Sequence, residues 1–108
     1  MFLFPAPYFI DPPYNATVLV DQEFILPCRV AGSPKPTIKW WNAYEEMRRH
    51  GSNYRIQKSG NLKFMRILPQ HRGYYRCLGS NVNGKVISNY AYLQVDGMRH
   101  SVIFNLRM

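Results

Sequence analysis

Apolar and polar residues alternate along this chain in short runs, with a period of two rather than the 3.6 of a helix. The runs are "ATVLV" (16–20), "EFILPCRV" (23–30), "TIKWW" (37–41), "NLKFMRI" (61–67), "YYRCLGS" (74–80) and "NYAYLQV" (89–95). Each is rich in β-branched or aromatic residues, which suit a pleated, half-buried surface. Turn-forming clusters divide them: "AGSPKP", "HGSN" after the charged "EEMRRH", and "NVNG". In the last, Asn83-Gly84 predicts a two-residue hairpin turn, since both residue types accept a positive φ. Short strands at this density predict an all-β sandwich or barrel. There is no internal repeat and no low-complexity segment.

Alternation also assigns faces. Turning Cys28 inward takes Phe24, Leu26 and Val30 with it and leaves Ile25, Pro27 and Arg29 outside. By the same rule Ile38, Trp40, Leu62 and Phe64 point in, as do Tyr75, Cys77, Ala91, Leu93 and Val95. The outward set is then Lys39 and Trp41, followed by Tyr74, Arg76 and Leu78, and by Tyr90, Tyr92 and Gln94. Both cysteines fall on inward positions. A bond between them would close a loop of 49 residues, which the chain-entropy model values at about 4 kcal/mol. The other reading is a pair of buried free thiols, suited to a reducing compartment.

"CRVAGSPKPTIKW" followed by "GNLKFMRILPQHRGYYRCLGSNVNGKVISNYAYLQV" resembles an immunoglobulin domain of the I-set, and the resemblance runs from about Pro7 to Val95. It implies a two-sheet Greek-key sandwich over residues 1–97, with 98–108 as a linker or the start of a neighbouring segment. It also implies a Cys28–Cys77 disulfide between strands B and F, packed against Trp40 of strand C. Tyr75, two residues before the second cysteine, takes the place of the tyrosine corner. Asn81 and Gly84 match the F–G turn, Leu62, Phe64 and Ile67 match strand E, and Gly32, Pro34 and Pro36 match the B–C loop.

The chain departs from that pattern in three places. The family's "DxGxYxC" opens on an acid, where this chain has His71, and the acid's usual arginine partner corresponds to Arg55. The expectation is a neutral His71 that accepts a hydrogen bond from Arg55. Tyr44 stands where a glycine makes the C–C′ turn, and Asp21-Gln22-Glu23 where a glycine precedes strand B.

A length of 108 residues suits one domain. The formal charge of +8, from 14 Lys and Arg against 6 Asp and Glu, favours anionic partners. Arg48, Arg49 and Lys58 are the polyanion-binding candidates, and they are similar to basic loops of receptor domains that hold heparan sulfate. Nucleic acid is not expected, because no recognition motif occurs and the bases are scattered over several strands. No apolar run approaches the ~20 residues of a membrane span. The opening "MFLFPAP" has no basic n-region and is broken by Pro5 and Pro7, so it does not read as a signal peptide. If secreted, the chain is expected to belong to something longer.

Catalytic chemistry finds no constellation here. Paired carboxylates at a site, a nucleophile with a histidine and a glycine-rich phosphate loop are all missing from the sequence. Glu45 and Glu46 read as solvated. His50, His71, His100 and the cysteines have no zinc-like spacing, and neither a metal nor another cofactor is expected. Interaction is the better fit. Trp41, Leu78, Tyr90 and Tyr92, with Lys39 and Arg76 at the margin, form the candidate protein-binding patch, since aromatic residues and arginine are enriched at interfaces. Asn15-Ala16-Thr17 is an N-glycosylation sequon, which favours the secretory route.

The resemblance implies a module of the kind found in tandem in adhesion molecules, in axon-guidance and growth-factor receptors, and in muscle filament proteins. The expectation is therefore an extracellular, non-enzymatic module of a cell-surface receptor or adhesion protein that binds another protein or a second copy of itself. The alternatives are a spacer domain of an intracellular muscle or cytoskeletal filament and a heparan-sulfate-binding receptor domain.

Overall fold

Every apolar run contributes a strand, and the strands close in two layers over Trp40, Phe64 and the cysteines. A computed structural model describes residues 6–97; the expected linker at 98–108, with His100, lies outside the described residues. In chain order the strands are β1 (Tyr8–Asp11), β2 (Ala16–Leu19), β3 (Phe24–Leu26), β4 (Arg29–Ala31), β5 (Thr37–Asn42) and β6 (His50–Gly51). Then follow β7 (Tyr54–Ile56), β8 (Leu62–Phe64), β9 (Gly73–Asn81), β10 (Gly84–Ile87) and β11 (Ala91–Asp96). A 3₁₀ turn, Pro69–His71, links β8 to β9.

One layer has β9 at its centre, with β5 on one side and β10 and β11 on the other. β2 adds to β11 in parallel. The second layer runs β3-β8-β7-β6, and β1 pairs with β4 beside it. This is the immunoglobulin sandwich, with β5, β9 and the pair β10 and β11 as strands C, F and G.

Between the layers Cys28 and Cys77 are joined in a disulfide. Trp40, fully buried beside them, donates its indole N–H to the Gly60 carbonyl at 2.7 Å. That bond matters because a buried indole N–H without an acceptor is costly. Leu26, Leu62, Phe64, Ile67 and Leu93 fill the remaining space. The Tyr75 hydroxyl donates to the His71 carbonyl at 2.6 Å. Burial pushes its pKa up to about 12, so it stays a donor throughout the neutral range.

Two local expectations need correction. Pro27 is buried, not outside. Strand B changes partner there: β3 pairs with β8 and β4 with β1, so strict alternation lapses across Pro27 and Cys28. Proline lacks the N–H a ladder would need, which suits it to that break. The hairpin turn is also shifted by one residue, since Gly84 already pairs with Asn81 and the loop is Val82-Asn83. Asn81 closes it by accepting the Asn83 N–H on its side-chain oxygen at 2.8 Å.

The two missing glycines are replaced by different means. Asp21 itself adopts φ 75°, a left-handed conformation that aspartate tolerates better than most residues. In the C–C′ turn Asn42 holds the backbone, its Oδ1 accepting the N–H groups of Tyr44 at 2.8 Å and Glu45 at 3.0 Å. Tyr44 itself is almost fully exposed.

Candidate interaction surface

Pairing in the first layer brings the outward side chains of β5, β9, β10 and β11 onto one face. Trp41 lies opposite Arg76, Lys39 and Ile87 flank Leu78 from either side, and Tyr92 lies opposite Tyr74. Cross-strand partners have Cβ atoms about 5 Å apart, so such side chains touch. The Tyr74 ring meets those of Tyr92 at 4.8 Å and Tyr90 at 6.1 Å, both edge-on. The Arg76 guanidinium sits 4.5 Å from the centre of the Tyr90 ring. Edge-to-face pairs add about 0.5–1.5 kcal/mol each beyond simple burial, so the cluster is ordered before any partner arrives. Tyr74 remains 50 % exposed and Tyr90 44 %, while Trp41, Leu78 and Tyr92 are half-buried. At the margin Lys39 faces Glu46 at 4.0 Å.

All six sequence-derived binding candidates thus share one face. Two of its members were missing from that set: Tyr74, which alternation had already turned outward, and Ile87, which is 53 % exposed. A bulge hides Ile87 from a parity count. From Ile87 to Ala91 the G strand advances four residues, while its partner β9 moves three, from Leu78 to Tyr75. Ser88 fills the irregular step. Its Oγ accepts the Cys77 N–H at 3.0 Å and donates to the Asn89 carbonyl at 2.9 Å, while its own N–H donates to the Cys77 carbonyl. A one-residue slip moves every later side chain to the opposite face. Ile87 therefore points out and Ala91 in, and Tyr90 and Tyr92 reach the surface. The clue in the sequence is Ser88-Asn89, two polar residues between apolar ones.

The basic candidates are split. Arg48 lines a cavity of about 370 Å³ with Glu45, Glu46 and His71. Arg49, its chain neighbour, instead shares a cleft of about 270 Å³ with Lys58 and Lys35.

His71 does not take up Arg55. Its Nδ1 accepts the Leu68 N–H at 2.9 Å, and its Nε2 lies 3.0 Å from the Ser52 carbonyl. The first bond makes Nδ1 the acceptor, so Nε2 carries the proton and donates to Ser52. Arg55 cannot reach the ring because alternation on β7 sends Tyr54 and Ile56 inward and Arg55 out, opposite Lys63. Burial holds the His71 pKa below its usual value, with the Ser52 bond pulling weakly the other way. The ring is therefore neutral at pH 7. It also packs 4.8 Å from the Phe64 ring.

Asn15 is exposed, at the edge of the aromatic face, and its Oδ1 accepts the Tyr92 N–H at 2.8 Å. Its Nδ2, the atom that glycosylation uses, takes no share in that bond. Among the described residues no cluster of side chains is suited to holding a metal ion, and no helix is long and apolar enough to cross a membrane.

Residues 7–95 match the family model described as the immunoglobulin I-set domain. Protein sidekick-1 of Homo sapiens is 29% identical over 97 residues, which cover 88% of this chain and 4% of that protein. The neural cell adhesion molecule L1-like protein of Mus musculus is 31% identical over 77 residues, or 71% of this chain and 6% of that protein. The chain thus spans a small fraction of the length of these relatives. Among solved structures, a chimeric titin Z1Z2 functionalized with an exogenous peptide from decorin superimposes with a TM-score of 0.77 at 26% identity, covering 88% of this chain and 99% of that one.

Proposed function

The chain belongs to the immunoglobulin I-set family, and from that premise we propose that it is a non-enzymatic recognition module of an extracellular receptor or adhesion protein, binding a protein partner through the outer face of β5, β9, β10 and β11. One observation carries this reading: Tyr74, Arg76, Tyr90 and Tyr92 contact one another and stay accessible. Folding does not require three tyrosines and an arginine on a solvent face, whereas binding hot spots are built from these residue types. The likeness to a neural cell adhesion molecule supports the cell-surface setting. In that setting Asn15 carries a glycan, which borders the patch beside Tyr92 and confines partners to the β5 side.

Photocrosslinking tests the proposal. A benzoylphenylalanine at Tyr90, in the chain presented to intact cells, gives a discrete protein adduct that disappears when Trp41→Ser and Tyr74→Ser are added. The same group at Met65, exposed beyond β8, gives none. Equal adducts at both sites, or an adduct indifferent to the two serines, reject the patch. The likeness to titin favours a second reading, a spacer in an intracellular filament. Thiol titration of the chain from its native source, denatured without reductant, separates the two: a spacer in a reducing compartment yields two free thiols.

A further inference from the structure

The other layer bears a different surface, and its features are independent of the aromatic patch. The β7–β8 turn, residues 57–61, is pinned from beneath. The Gly60 carbonyl takes the Trp40 indole N–H at 2.7 Å, and the Asn61 Oδ1 takes the Cys28 N–H at 2.9 Å. Within the turn, Gly60 donates to the Gln57 carbonyl and Gln57 to that of Asn61. Gly60 has φ +103°, and a Cβ there would stand 2.6 Å from Ile38 and 3.0 Å from the Cys28 carbonyl. A side chain would push the turn off the core. Lys58 is thus mounted on a fixed platform.

Two open clefts flank this turn and share Gln57, Lys58 and Ser59 as a common wall. Lys35 and Arg49 line the first, Arg55 the second. None of these four cations makes an ion pair among the described residues; the three ion pairs found there engage Lys39, Lys63 and Arg66. Arg55 even lies directly opposite Lys63 across the strand pair, an arrangement of like charges that costs stability. No acidic and no aromatic side chain is among the described residues lining either cleft.

We infer that the two clefts form one site for a linear sulfated polysaccharide, with Lys35, Arg49, Lys58 and Arg55 as its charge contacts. Charge complementarity requires an anion, and two adjoining clefts suit an extended chain better than a compact one. Thr37, Ser59 and Gln57 supply neutral hydrogen-bonding groups for sulfate and sugar hydroxyls. The lack of rings removes the stacking platforms that single-stranded nucleic acid needs. Arg48 lies outside the site, because it faces Glu45 and Glu46.

Titration calorimetry of the 108-residue chain with a size-defined heparin oligosaccharide tests this. Arg49→Ser with Lys58→Ser weakens binding about tenfold or more, whereas Arg48→Ser with Arg72→Ser, the same loss of charge, changes it by less than about threefold. A single cooperative thermal transition in every variant shows that the fold is retained. Lys35→Ser with Arg55→Ser serves as the second pair, and it too weakens binding about tenfold. Equal losses from the site pairs and the control pair overturn the proposal in favour of diffuse attraction. Single-stranded DNA of matched length competing as well as heparin overturns the choice of ligand, and so does equal binding of chemically desulfated heparin.

Discussion

The outer faces of the two layers are built by one rule and filled in opposite ways. On the β5-β9-β11 layer the exposed side chains satisfy each other: rings meet edge-on, Arg76 lies over Tyr90, and Lys39 faces Glu46. On the β3-β8-β7-β6 layer a cation stands opposite a cation, since Arg55 pairs in register with Lys63. Of these two, Lys63 is compensated, by Glu23 at 3.1 Å. The core beneath is common to both, so these differences owe nothing to folding. Inward positions specify the sandwich, while outward positions are free to differ between the two faces.

The comparison depends on register, so the largest effect comes from disturbing it. Deleting Tyr92 from the regular part of β11 shifts the parity by one and turns Leu93 and Val95 to solvent. The expected cost is more than about 4 kcal/mol, and the chain loses its dispersed amide spectrum. Asn89→Ala keeps the backbone and shifts the denaturation midpoint by about 0.5 kcal/mol or less. If the deletion variant folds normally, alternation along β11 does not fix which of its side chains face the core.

A middle-sized effect belongs to His71, which ties the two layers at one end through Ser52 and, by its carbonyl, through Tyr75. His71→Phe leaves the Leu68 N–H and the Ser52 carbonyl without the ring and costs about 1–3 kcal/mol. Because the folded pKa is depressed, the unfolded chain binds more protons at this residue below its ordinary value. Its stabilising contribution is complete above about pH 6.5 and is lost as pH falls from there towards the folded value. Urea midpoints measured across that window fall for the natural chain and fall less steeply for His71→Phe. Parallel slopes would mean that the acid sensitivity arises elsewhere.

The smallest effect tests the basic face. Arg55→Thr removes the like-charge opposition to Lys63 and raises stability by about 0.2–1 kcal/mol at low ionic strength, less in high salt. A loss of stability instead would show that Arg55 has a structural role.

Much of the sandwich was legible because burial imposes a period of two: the positions of Cys28, Trp40, Tyr75 and Cys77 follow from it. The aromatic face was legible for the same reason, as the complement of the core. Irregular backbone was not. Pro27 is buried where a strand changes partners, Ile87 is exposed ahead of a bulge, and Asn83 takes the second place of its turn where its type suggested the first. Alternation assumes an unbroken ladder, and each of these residues sits where the ladder breaks. Arg48 and Arg49 diverge at the bend that leads into β6, the first lining the cavity with Glu45 and Glu46 and the second the cleft with Lys58, so proximity in sequence was no guide to a shared site.

The parallel pairing of β2 with β11 sets how the domain would bear a pull applied at its two ends. Ala16 lies beside Leu93, and Leu19 beside Asp96. Tension entering at the start of β2 and leaving at the end of β11 runs along both strands in shear. The ladder bonds between them, with that from Val20 N–H to the Asp96 carbonyl at 3.0 Å, then bear the load together rather than rupturing in succession. A tethered chain could pull on this domain without first peeling open the core that presents its two faces.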